Sequence, residues 1–174
     1  GFSLPNFWGG LMLIMVFAIK GALVPLHFWL PGTYANAPGP VAALFAIMTK
    51  VGAYSIIRLY VLAFGADAGE AAWLAAPWLL PAGLVTLVLG MTGVLAARSL
   101  GQMASFAVIG SMGMLLATVA VFTAQATSAA LYYLIHSTLG AGALFLIADL
   151  VAERRGGQRD RLVAAPKFAQ GGLI

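Results

Sequence analysis

Two lysines stand inside apolar runs where a charge is costly: Lys20 in Phe17-Ala-Ile-Lys-Gly-Ala-Leu-Val-Pro25, and Lys50 in Met48-Thr-Lys-Val-Gly-Ala-Tyr54. A third titratable group, His136, lies in Tyr133-Leu-Ile-His-Ser-Thr-Leu-Gly140. A charged side chain at the centre of a bilayer costs at least about 2.5 to 3.5 kcal/mol, so intramembrane lysines point by default to an ion or proton path. Lysine suits proton carriage because burial and neighbouring charge tune its titration, whereas arginine stays charged. Pro25 follows Lys20 by five residues. It has no N–H for the carbonyl of Gly21 and its ring crowds that carbonyl, so Gly21 and Pro25 predict a helix break with a free carbonyl beside Lys20. Transporters build ion sites from such discontinuous helices. Asp149 is a candidate proton inlet or, equally, a helix-end acid close to Arg154. Ser111 and Thr49 are candidates for holding water, with Thr49 and Tyr133 otherwise satisfying nearby carbonyls, and His27 beside Trp29 reads as an interfacial anchor.

The elements that must position these residues follow from composition. The 174 residues are 62% hydrophobic and 8% charged, against about 25% charged in soluble domains. The chain therefore reads as an all-α, polytopic transmembrane helix bundle. Five apolar stretches are long enough to span at about 1.5 Å per residue, namely 7–29, 41–64, 78–97, 103–123 and 128–151. Gly and Pro punctuate the segments between them. Residues 1–152 form the transmembrane region on this reading, and 153–174 a basic loop outside the bilayer. The chain reads as a piece beginning mid-protein. It has no cysteine, which removes thiolate metal sites and disulfides. Gly140-Ala-Gly142 lacks the strand and third glycine of a dinucleotide site and, with Gly110 and Gly113, reads as a helix-packing surface. No metal-ligand spacing and no nucleophile surroundings occur, so no cofactor, no metal and no enzymatic substrate chemistry are expected.

Orientation follows from the positive charges, since short cytoplasmic loops carry the Lys and Arg excess. Arg98 and the tail with Arg154, Arg155, Arg159, Arg161 and Lys167 fall on one side, and the acidic 65–77 loop with Asp67 and Glu70 on the other. The net charge of +4 is thereby explained without nucleic acid. Counted from the basic side, Lys20, Lys50 and His136 lie roughly 14, 15 and 22 Å deep, close enough in level for a lateral relay through water.

These residues resemble a family. Ala18-Ile-Lys20, Pro25-Leu-His-Phe-Trp-Leu-Pro31, Ala37-Pro-Gly-Pro-Val41 and Met48-Thr-Lys-Val-Gly-Ala-Tyr54 are similar to the proton-conducting antiporter subunits shared by respiratory NADH dehydrogenase and Mrp-type cation/proton antiporters. Within it, Leu30-Pro-Gly-Thr-Tyr34, Pro40-Val-Ala-Ala-Leu-Phe45, Tyr133 to Gly140 and Leu146-Ile-Ala-Asp-Leu150 most resemble the D-type subunit of the Mrp (Mnh, Pha) multisubunit antiporters. The resemblance implies two inverted five-helix repeats, each with a broken helix and a central lysine. Lys20 would be the broken-helix lysine, Lys50 the lysine of the next helix and His136 the link toward the second repeat. The chain would hold the end of one repeat and the start of the next, without the family's earlier glutamate that pairs with the Lys20 position. Ser111, in Gly110-Ser-Met-Gly113, stands where respiratory relatives often carry histidine.

Three functions fit this reading. The first is a proton-translocating subunit of a multisubunit Na⁺(K⁺)/H⁺ antiporter in the cell inner membrane, with the basic tail cytoplasmic and other antiporter subunits as partners. The second is a membrane-arm subunit of an NADH:quinone oxidoreductase or related hydrogenase. The third is a structural membrane subunit whose lysines only hold helices together.

Overall fold

The computed structural model describes residues 4–63, 76–121, 123–155 and 160–162, and these form six helices. They are α1 (Leu4–Lys20), α2 (Trp29–Ala35), α3 (Gly39–Ala63), α4 (Ala76–Ala96), α5 (Leu100–Val119) and α6 (Ala124–Arg155). Four carry stretches long and apolar enough to cross a membrane: Gly39–Arg58, Trp78–Ala96, Leu100–Val119 and Ala124–Arg155. The expected acidic loop falls largely on residues 64–75, outside the described ones.

The expected first span, 7–29, is not one helix. α1 stops at Lys20, five residues before Pro25, and helix resumes only at Trp29. The stop is a Schellman motif: the Leu23 N–H donates to the Ala18 carbonyl at 3.0 Å, and the Ala22 N–H to the Ile19 carbonyl at 3.0 Å. Ala22 takes the left-handed position that such motifs usually give to glycine, with φ 51°. Gly21 precedes it, buried against α5, where a methyl group built on its Cα would lie 2.9 Å from Met112 Cε. Packing at Gly21 and the loss of a donor at Pro25 for the Gly21 carbonyl thus fall at the same place, and Pro25 itself lies within the unwound segment.

Trp29 turns back on this break. Its indole N–H donates to the Ile19 carbonyl at 3.1 Å, so it pins α2 to the last turn of α1. Tyr34 continues the pin inward. Its ring packs edge-on against Phe145 of α6 and beside Phe45 of α3, and its hydroxyl donates to the Phe45 carbonyl at 2.7 Å.

α4 and α5 pack backbone to backbone. A methyl built on Gly90 would lie 2.5 Å from Gly110 Cα, one on Gly83 2.7 Å from Ala117 N, and one on Gly113 2.6 Å from the Gly83 carbonyl oxygen. Small residues on facing stripes are the general route to close helix approach in lipid, where no hydrophobic drive exists between helices. Gly110 and Gly113 thus serve as expected. Among the described residues no atom lies within 4 Å of a methyl added to Gly140, and one added to Gly142 would meet Ala43 Cβ of α3 at 4.0 Å.

α6 begins four residues before the expected span, because Thr123 caps it by accepting from the Ala126 N–H at 3.1 Å. At the other end of α6 the basic segment docks on α5. Ser99 is the α5 N-cap, accepting from the Gln102 N–H, while Gln102 Oε1 accepts from the Arg98 N–H. Asp160 adds its carboxylate to the same helix start, accepting from the Gly101 N–H at 2.8 Å, and its carbonyl accepts from the Leu100 N–H at 2.9 Å. A carboxylate there also meets the positive end of the helix dipole. Arg98 and the start of the basic tail therefore share one end of the bundle, as the charge pattern expects.

Candidate functional site

Lys50 sits at the middle of α3, about 16 Å from Gly39 at helical rise. It is 2% exposed. Its Nζ donates to Ser111 Oγ of α5, and the Ser111 hydroxyl donates to the Val108 carbonyl at 2.7 Å. Ser111 is also about 16 Å along α5, so the two residues meet at matching depth. A buried ammonium with a single neutral partner is a costly arrangement that needs further polar contact or water.

That contact has room. Ser111 opens on a cavity of about 190 Å³ between α5 and α6, which Tyr133, His136, Ser137 and Gly140 also line. The bare Gly140 leaves this wall open beside His136. A second cavity, about 280 Å³, lies between α3 and α6, lined by Lys50, Tyr54 and Thr138 among apolar side chains. Lys50 thus bonds to Ser111, and Ser111 and His136 line the same cavity. The α5–α6 pocket is open and mostly apolar, with Ser111, Tyr133, His136 and Ser137 as its polar lining residues.

Lys20 lies elsewhere. It is exposed, in the last turn of α1, where the negative end of the helix dipole favours a cation. The end of α1 rests on Gly52 of α3, where a built methyl would lie 3.2 Å from Lys20 Cβ. Gly52 and Lys50 are two residues apart, about 200° round the helix, so the α3 backbone separates the two lysines. Among the described residues no donor reaches the Gly21 carbonyl, the free carbonyl expected beside Lys20.

Two other candidates stand apart from the cavities. Thr49 is buried and donates to the Ala46 carbonyl at 2.8 Å. Asp149 is half-buried against the first turn of α3, where a methyl built on Gly39 would lie 2.7 Å from its carboxylate carbon. It places negative charge at a helix N-terminus. Among the described residues no cluster of three or more metal-ligating side chains exists.

Sequence reading misses Thr86, which is wholly buried in α4. Its hydroxyl accepts from the Val24 N–H at 3.3 Å, inside the broken segment. In sequence Thr86 is one of the two threonines of α4, the one on the Gly83–Gly90 face.

The described residues thus form a bundle of helices long and apolar enough to cross a membrane, with one helix broken beside a lysine and a second lysine buried mid-span. Residues 3–166 match the family described as NADH:quinone oxidoreductase/Mrp antiporter, TM, and the chain belongs to that family. It is 43% identical over 154 residues to the D-type subunit of a probable K(+)/H(+) antiporter of Rhizobium meliloti, covering 88% of this chain and 29% of that protein. It is 37% identical over 170 residues to the D-type subunit of the Na(+)/H(+) antiporter of Bacillus subtilis, covering 95% and 31%. The solved Mrp complex from Dietzia sp. DQ12-45-1b holds a similar fold, with TM-score 0.77 and 27% identity over 84% of this chain and 27% of that one. The chain thus spans about 30% of the length of the curated relatives it matches.

Proposed function

We propose that the chain forms part of the proton-translocating subunit of a multisubunit Na⁺ or K⁺/proton antiporter, with Lys20, Lys50 and His136 carrying protons and Ser111 joining the last two. The observation that carries this reading is Lys50, buried at mid-span, whose hydrogen-bond partner Ser111 opens on a pocket that His136 also lines. A lysine kept only to hold helices together would be expected to face a carboxylate, because a buried charge is otherwise uncompensated. The names of its relatives, both D-type antiporter subunits, favour cation exchange over a redox-driven membrane arm. Other antiporter subunits are then its partners. The basic end shared by Arg98 and Arg161 is cytoplasmic by the positive-inside rule, in the cell's inner membrane.

The test is cation-induced collapse of a proton gradient in inverted vesicles carrying the whole complex. Wild type is expected to respond to Na⁺ or K⁺, and Lys20→Ala, at equal assembly, to lose the response by roughly a hundredfold, the scale of a proton-transfer group. A wild-type complex that ignores both cations would move the reading to the redox-driven complex. Full activity in the variant would reduce Lys20 to a structural charge.

A further inference from the structure

Pro25, which crowds the Gly21 carbonyl, and the packing of Gly21 on Met112 both act on the helix break, and neither accounts for the partner of the Val24 N–H. Had α1 wound on for one more turn, the Val24 N–H would have donated to the Lys20 carbonyl four residues back. It donates instead to Thr86 Oγ1 of α4. Thr86 is suited to this. It is 0% exposed, and its own proton goes to the Ala82 carbonyl at 2.7 Å, which leaves the oxygen free to accept. It also lies at the centre of α4, about 15 Å from either end. The unwound segment is held by packing, with Leu23 clustered with Ile56 of α3 and Leu116 of α5, and Leu79 of α4 packed against that cluster. At that depth water is scarce, so Val24 has two ways to satisfy its N–H: the Thr86 hydroxyl or the Lys20 carbonyl.

We propose that Thr86 is a positioning residue for transport, holding the helix break open by competing with the Lys20 carbonyl for the Val24 N–H. The role rests on Lys20 being a proton carrier. With the hydroxyl present, Lys20 stays in the last turn of α1, beside the free Gly21 carbonyl. Without it, α1 gains a turn up to Val24, and Lys20 moves from the helix end into the helix body. The Ala22 left-handed geometry, unfavourable for any residue with a Cβ, relaxes in the same step.

The experiment uses the intact antiporter complex with Thr86→Val, which keeps the shape and removes the acceptor, and Thr86→Ser, which keeps the acceptor. At equal assembly, Thr86→Val is expected to lower the maximal rate of cation-driven proton flux by roughly tenfold, with the half-saturating cation concentration unchanged. Thr86→Ser is expected to behave as wild type. Amide hydrogen exchange across Gly21 to Leu26 reads the pin without any transport, and is expected to slow at Val24 in Thr86→Val only. Where the valine variant does not assemble, Thr86→Ala carries the same expectations. Unchanged exchange in the valine or alanine variant overturns the pin, and so does a serine variant as impaired as valine. Altered exchange with an unaltered rate overturns its part in transport. A failure of the proton-carrier reading shows separately, as full activity in Lys20→Ala.

Discussion

Replacing Lys50 with methionine is expected to cut cation-driven proton flux by roughly a hundredfold or more while leaving the complex assembled. The loss and the tolerance come from different parts of the same site. Methionine fills the volume of the lysine stem, and swaps that conserve volume cost little in a packed interior. Ser111 is not orphaned, because it still donates to the Val108 carbonyl. Removing a buried ammonium also removes its desolvation cost, so stability is expected to hold or to rise. What disappears is the titrating amine. Lys50→Arg makes the complementary case: it keeps a charge but cannot release the proton, and is expected to be as inactive as methionine. Flux measured in vesicles against complex recovered by size exclusion separates the two roles. An inactive but well-assembled Lys50→Met marks a carrier, and an active one a structural charge.

The second large effect is structural. Gly90→Val is expected to prevent stable assembly, with a cost of at least about 3 kcal/mol, the upper part of the usual overpacking range. The opposing atoms are backbone: Gly110 N and Cα. Nothing there can swing away as a side-chain tip would, so α4 and α5 must separate. Gly140→Ala is the contrasting case on α6. Among the described residues no atom lies within 4 Å of the added methyl, and its thermal stability is expected to stay within about 0.5 kcal/mol of wild type. Thermal unfolding of the two variants in the same detergent checks both. Equal loss in both would show that the glycine stripe is not what sets the helix approach.

Much of this molecule is legible in its residues, for reasons that differ from place to place. Lys20, Lys50 and His136 stand out because a titratable group in an apolar run has few innocent explanations. The glycines of α4 and α5 are legible as packing surface by type, but their register is not. Spacing alone does not tell that Gly110 meets Gly90 while Gly140 meets nothing. Sequence puts the break at Pro25 because proline is the strongest local helix breaker. Its true position depends on Ala22, a residue with no turn signature, held left-handed by tertiary contact. The Lys50–Ser111 pair joins residues 61 apart in sequence, and only the crossing of α3 with α5 brings them together. Thr86 is hidden for the same reason, since its partner Val24 is 62 residues away.

Whether Lys50 and His136 lie on one path joined by Ser111 is a question that kinetics can address directly. Ser111→Ala, His136→Gln and the double variant would be compared with wild type for proton flux in inverted vesicles at equal assembly. If the residues act in series, each single variant is slow and the double is no slower than the slower single, since steps in one path are not additive. Two effects that multiply, or an alanine at 111 that transports as wild type does, would contradict the path.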